Sequence, residues 1–160
     1  EMCIRDSLKV IQALQEATVK ELEAVVVVGG SNPHYKKLLA AVEKPEVSIE
    51  LRKNVTNMSE LMAWADVAIA AGGSTTWELA FMGLPSLLIV LAENQKAICQ
   101  KLGKMGITLS LGEYRQQSLN NLTRSIWGLL PALEQRQQMS KKGRTLVDSL
   151  GSQRVVQLMK

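Results

Sequence analysis

The residues best suited to chemistry in this 160-residue chain lie together in Ala70-Ala71-Gly72-Gly73-Ser74-Thr75-Thr76-Trp77-Glu78. The order is an apolar strand end, a glycine pair, three hydroxyl side chains and a helix start. Glycine removes the Cβ that keeps a ligand off the backbone. The first N–H groups of a helix lack internal acceptors and carry partial positive charge, so they suit a phosphate. Ser74, Thr75 and Thr76 add hydroxyl donors. Glu78 falls one turn inside the helix, where it can accept hydrogen bonds from the two vicinal hydroxyls of a ribose. Phosphate at the helix start and sugar hydroxyls at the carboxylate together describe a nucleotide. The plain structural alternative is a glycine turn with a first-turn Glu that stabilises the helix dipole.

Neither Gly-x-Gly-x-x-Gly nor Gly-Lys-Ser/Thr occurs, which disfavours a nicotinamide cofactor and a Walker-type ATPase. Two further loops follow predicted strands: Arg52-Lys53-Asn54-Val55-Thr56-Asn57-Met58 and Ala92-Glu93-Asn94-Gln95. Ligands of open parallel sheets sit outside the carboxyl ends of the strands, so all three loops are expected to converge on one crevice. Asn94 and Gln95 serve equally well as helix caps.

The elements that position these loops follow from periodicity. Leu8, Ile11, Leu14 and Leu22 recur at helical spacing. Val25-Val26-Val27-Val28 has no wet face and predicts a strand buried on both sides, ended by Gly29-Gly30. A helix through Tyr35, Leu38, Leu39 and Val42 stops at Pro45. Val47 to Leu51 alternates as a half-buried strand, and Asn57-Met58-Ser59-Glu60 marks the next helix start. Val67 to Ala71 and Ser86 to Leu91 are buried strands. The helix between them ends at Gly83. A helix from about Asn94 ends at Gly103, and Ile107 to Leu111 is the last strand. Beyond Ser118 the chain is helical, with breaks at Pro131 and Gly151. This alternation predicts an α/β fold, a doubly wound Rossmann-like parallel sheet. Such a sheet opens with a strand, whereas this one opens with a helix. Glu1 to Ser7 lacks any period and is expected to be a non-native or unstructured leader.

Composition narrows the class. Hydrophobic residues make up 46% and charged residues 21%, which excludes a disordered chain. No apolar run approaches the roughly 20 residues of a membrane span. Cys3 and Cys99 have no partner spacing and His34 stands alone, so a disulfide scaffold and a multi-histidine metal site are excluded. The cysteines are expected as free thiols in a reducing, cytoplasmic compartment. No metal and no cofactor is expected. Net charge is 19 − 15 = +4 and aromatics are 4%, too little of either to indicate nucleic acid. Trp64, Trp77 and Trp127 are expected to pack in the core rather than stack on a base. Met58, Met62, Met82 and Met105 are expected to fill core gaps. Asp66 reads as a junction residue and His34 as a surface or helix-start residue; Arg136, Lys141, Lys142 and Arg144 read as a solvated helix face, with contact to anionic lipid as the alternative.

Taken together, Asn54-Val55-Thr56-Asn57-Met58, Ala65-Asp66, Gly72-Gly73-Ser74-Thr75-Thr76-Trp77-Glu78, Gly83-Leu84-Pro85 and Ala92-Glu93-Asn94-Gln95 resemble the C-terminal domain of the two-domain GT-B nucleotide-sugar enzymes. The wording is most similar to the UDP-sugar hydrolases of pseudaminic (nonulosonic) acid biosynthesis. The peptidoglycan N-acetylglucosaminyltransferases are more distant. The ending Val147-Asp148-Ser149-Leu150-Gly151-Ser152-Gln153-Arg154-Val155 fits the same resemblance, which runs from about Leu8 to the end. It implies a UDP-sugar substrate. Asn54, the backbone at Val55, and Met58 would line the uracil pocket. Gly73, Ser74, Thr75 and Thr76, with Gly72 beside them, would hold the diphosphate, Glu78 the ribose, and Asn94 and Gln95 the sugar or its phosphate. The resemblance places the catalytic histidine in an N-terminal domain that this chain lacks, so no catalytic residue is assigned and the fragment is expected to be inactive alone. It also implies a first strand between Val25–Val28 and Val67–Ala71 that this chain lacks, so an incomplete sheet is expected. A glycosyltransferase of the same fold and a non-catalytic nucleotide-binding module are the alternatives. The missing domain is the expected partner, with no nucleic acid and no stable membrane insertion.

Overall fold

The computed structural model describes residues 4–16, 22–43 and 47–159. Cys3, the first residues of the expected leader, and the helix stop at Pro45 lie outside them. In chain order the elements are α1 (Ile4–Gln15), β1 (Glu23–Val28), α2 (Tyr35–Val42), β2 (Ser48–Lys53), α3 (Met58–Trp64), β3 (Ala68–Ala71), α4 (Thr75–Met82), β4 (Ser86–Val90), α5 (Glu93–Lys104), β5 (Thr108–Glu113), a short 3-10 turn (Tyr114–Gln116), α6 (Leu119–Leu129), α7 (Leu133–Leu146) and α8 (Gly151–Leu158). The fold is α/β with parallel strands, as the alternation predicts. It divides into two compact units. The first takes residues up to Met58 together with Tyr114–Gly128; the second takes Ser59–Glu113 together with Leu129 onward.

In the first unit β1 and β2 pair in parallel, from Glu23 opposite Ser48 to Val28 opposite Lys53. The core is Ile11 of α1, Val28 of β1 and Leu38 of α2, with Ile49 and Leu51 of β2 packed against it. Ile11 and Leu38 are wholly buried, each contributing roughly 1.5–3 kcal/mol of transfer free energy. The inward residues of β2 alternate as predicted. Lys9 Nζ donates to the Gln117 carbonyl at 2.7 Å and lies 4.3 Å from the centre of the Tyr114 ring. Thr123 donates to the Glu16 carboxylate at 3.0 Å. These contacts bring the late segment of the chain onto α1. Helix α1 already runs at Ile4, so residues 4–7 of the expected leader are helical.

In the second unit β4 is central. It pairs in parallel with β3 on one side and β5 on the other, with a register shift between Leu88 and Ile89 on the β5 side. All five β4 residues are buried, the only strand of which this holds among the described residues. The core joins Ala80 of α4, Leu88 and Val90 of β4, Cys99 and Leu102 of α5, and Ile107. Helix α4 ends at Gly83, whose φ of 69° lies in the left-handed region that glycine reaches without a steric penalty; its amide donates to the Ala80 carbonyl at 3.0 Å. Helix α7 crosses α4 at Gly143, where a Cβ would come within 2.9 Å of the Ala80 carbonyl oxygen.

The strands form two sheets, β1-β2 and β3-β4-β5, in line with the incomplete sheet expected. Three expectations need correction. Among the described residues β1 pairs only with β2, and β3 only with β4. With one strand neighbour, β1 is half-buried through Val25–Val27, and only Val28 is buried. Residues Ala68–Ala71 of β3 are likewise half-buried. Helix α5 passes through Gly103 to Lys104, and the left-handed turn falls at Gly106 instead. Trp64 and Trp77 are exposed rather than packed in the core, and so is Met105, whereas Met62 is buried. No helix among the described residues is long and apolar enough to cross a membrane.

Candidate functional site

Strand β3 delivers the chain to Gly72, whose amide donates to the Ile89 carbonyl of β4 at 3.2 Å. Gly73 N–H turns back to the Ala71 carbonyl at 2.8 Å, and Thr76 N–H to the Gly73 carbonyl at 3.1 Å. The amides of Ser74 and Thr75 between them have no acceptor among the described residues. These are the free donors that a helix start presents, and they carry the positive end of the α4 dipole.

The two glycines differ in purpose. A Cβ on Gly73 would meet nothing within 4 Å, so the backbone there is open to an approaching ligand. A Cβ on Gly72 would collide with Cys99 Sγ and lie 3.3 Å from the Gln95 Cβ. Gly72 is buried, and its small size lets the loop rest on the first turns of α5. The Cys99 thiol below it is held above its ordinary pKa by burial.

Of the hydroxyl residues, Ser74 is exposed and Thr75 half-buried. Thr76 is wholly buried and its Oγ1 has no hydrogen-bond partner. Its hydroxyl faces the interior of the unit, which corrects the expectation that all three hydroxyls face a ligand. Glu78 is exposed in the first turn of α4, as its position predicts. Across the loop, Gln95 Oε1 accepts from the Leu91 amide at 3.0 Å, joining α5 to the end of β4. That bond engages the side-chain oxygen of Gln95, whose Cβ lies beside Gly72. Asn94 is exposed on the same first turn. The second unit thus gathers Gly72, Gly73, Ser74, Thr75, Glu78, Asn94 and Gln95 at the carboxyl ends of β3 and β4.

Asn54, Val55 and Met58 belong to the first unit. Asn54 follows β2 with φ 55°, a left-handed conformation that Asn tolerates better than most residues. Its amide donates to the Val28 carbonyl of β1 at 3.2 Å. Its side chain rests on the Cα of Gly30, where any Cβ would strike the amide group. Gly30, which sequence reasoning treated only as a strand end, therefore sets the position of Asn54. No local sequence signal links the two, since the pairing of β1 with β2 is what brings Gly30 beside Asn54. Val55 and Met58 are half-buried. His34 begins α2, with its amide bonded to Asn32 Oδ1 at 2.9 Å and its carbonyl accepting from Lys37 and Leu38, the helix-start role expected of it.

The profile of the family described as "Glycosyltransferase family 28 C-terminal domain" matches residues 7–155. A spore coat polysaccharide biosynthesis protein, SpsG of Bacillus subtilis (strain 168), is 28% identical over 152 residues, covering 94% of this chain and 44% of that protein. Among solved structures, Acinetobacter baumannii MurG superposes with a TM-score of 0.79 at 19% identity, over 95% of this chain and 45% of that one. The spinosyn rhamnosyltransferase SpnG gives 0.72 at 20% identity, over 95% and 40%. WaaG, a glycosyltransferase of lipopolysaccharide biosynthesis, gives 0.70 at 20% identity, over 91% and 39%. The chain spans less than half the length of each of these relatives. The expected hydrolase identity is overturned here. The matching family is one of glycosyltransferases, and SpnG and WaaG are described as transferases.

Proposed function

The chain belongs to the glycosyltransferase family 28 C-terminal domain family, and from that membership we propose that it is the donor-binding part of a transferase that uses a UDP-sugar. The observation that carries the reading is the open backbone of Gly73 leading into the unpaired amides of Ser74 and Thr75, with exposed Glu78 one turn along. The diphosphate sits on those amides and on the Ser74 and Thr75 hydroxyls, against the positive end of α4. Glu78 accepts from the ribose hydroxyls. The Gln95 amide and Asn94 face the phosphate nearest the sugar.

Transfer forms a bond between an acceptor hydroxyl oxygen and the anomeric carbon, and breaks the bond from that carbon to the diphosphate oxygen. Negative charge then builds on the departing diphosphate. The amides before α4 stabilise that charge as it develops, the oxyanion-type contribution of fixed donors. The base that takes the acceptor's proton is not assigned to any residue of this chain, which spans less than half the length of its relatives. The buried free thiol of Cys99 fits a reducing, cytoplasmic setting.

Calorimetric titration with UDP tests the reading. Binding is expected for UDP, weaker binding for UMP, and none for orthophosphate alone at this loop. Glu78→Ala should weaken UDP by about 10–100-fold, the loss of a charged hydrogen-bond pair. Unchanged affinity in that variant would remove Glu78 from the ribose site, and no heat with UDP would remove the function.

A further inference from the structure

We propose that the second unit carries a separate phosphomonoester site, in a cleft at the opposite end of the sheet from the glycine loop. The cleft has a volume of about 340 Å³, in the range of small-molecule sites. It opens where β3 and β4 begin rather than where they end: Asp66 precedes β3, and Leu84-Pro85 precede β4. One wall is a face of α7. Arg136, Ser140 and Arg144 follow one another at successive turns along it. The floor is apolar, with Met62, Leu84 and Pro85. Helix α7 packs closely on α4 at Gly143, and the cleft is lined by residues of α3, α4 and α7.

The polar groups of the wall have unused donors. Arg136 Nη1 donates to Asp66 Oδ1 at 3.1 Å. Its Nε is buried and has no hydrogen-bond partner, although the side chain is 18% exposed. Asp66, 84% exposed in its side chain, is the one carboxylate lining the cleft, against the guanidinium groups of Arg136 and Arg144. Ser140 Oγ has no partner among the described residues and lies over Gly83, which has no side chain to fill the space. Arg144 spends Nε and Nη2 on the Met82 carbonyl, at 3.3 and 3.2 Å, and keeps Nη1. Two guanidinium groups against one solvated carboxylate favour a dianion. The planar guanidinium with a hydroxyl one turn away matches phosphate oxygens. The apolar floor leaves room for the organic part of the ester. That group could come from a soluble phosphate ester or from a lipid headgroup, and Lys141 and Lys142 on the same helix suit an anionic surface.

The test follows the Arg136 Nε–H signal by nuclear magnetic resonance in the whole chain. Two probes are used: inorganic phosphate, and phosphatidylcholine vesicles with and without phosphatidic acid. Millimolar phosphate is expected to shift the signal, and chloride at equal ionic strength is not. Arg136→Gln and Ser140→Ala should each weaken phosphate at least tenfold, while Lys104→Gln leaves it unchanged. Ser140→Ala removes only a hydroxyl, so it tests the site even if Arg136→Gln fails to fold. Vesicle binding that needs phosphatidic acid and falls in Ser140→Ala assigns the lipid source. A response to phosphate alone assigns the soluble source. No shift with either probe, or binding indifferent to both substitutions, overturns the site. UDP binding at the glycine loop is a separate measurement, so either result can fail without the other.

Discussion

Gly72 and Cys99 show how tightly the loop is held from beneath. Alanine at Gly72 must push against Cys99 Sγ and the Gln95 Cβ, so Gly72→Ala should destabilise the protein by about 1–3 kcal/mol. Removing the sulfur should relieve much of that cost. In urea denaturation the Gly72→Ala/Cys99→Ala pair is expected to be more stable than the sum of the single changes by about 1 kcal/mol. Additive effects would mean that the clash is relieved elsewhere. The same thiol gives a signature in pH. Burial raises its pKa in the folded protein, so the unfolded chain loses the proton first as pH rises. The stability it contributes is complete below the unfolded thiol's pKa and falls as pH climbs through the folded value. Wild type should therefore lose stability relative to Cys99→Ala in alkaline solution, with no such divergence at neutral pH. Denaturation midpoints at both ends of that range check the sign. The exposed pairs Arg52–Glu50 and Arg154–Asp148 lower their carboxylates through the guanidinium hydrogen bonds, but at the surface such pairs add little.

At the scale of elements, the crossing of α7 over α4 depends on Gly143. Alanine there would press on the Ala80 carbonyl at 2.9 Å and on its Cα at 3.3 Å, backbone atoms that cannot turn aside. Gly143→Ala should cost about 1–3 kcal/mol and raise hydrogen exchange in α7. A neutral effect would show that the helices separate freely. The order of strands and helices was legible in the chain because β-branched runs and glycine ends announce themselves locally. Val25–Val28, closed by Gly29-Gly30, reads as a strand for that reason, and Ser86 to Leu91 from its unbroken apolar run after Pro85. Their burial was not legible, since it depends on how many strands flank each one. The pattern of β2 was readable because one face is wet. The tryptophans misled because helical spacing among apolar residues does not say which face meets the sheet. In the candidate site, Gly73 and Glu78 could be found from type and order. Gly30 could not, because its partner Asn54 lies 24 positions away (54 − 30). Nor could Arg136, whose partner Asp66 is 70 positions distant.

At the scale of the whole molecule, each unit is discontinuous in sequence. Tyr114–Gly128 joins the first unit, and Leu129 onward returns to the second. Native-state hydrogen exchange should therefore group α6 with β1 and β2, not with β5, its nearer neighbour along the chain. If α6 amides exchange at the rate of β3–β5 instead, the division into units does not describe cooperative unfolding. The contacts of Lys9 with Gln117 and of Thr123 with Glu16 are what bind the late segment to the early one. They also set a timetable for biosynthesis. A ribosome releases α1, β1, α2 and β2 before β3, β4 and β5, yet their last partner is made only after those strands have emerged. The nascent first unit must wait, unfinished, while the second is translated, and any chaperone that guards it has to remain until α6 clears the exit tunnel.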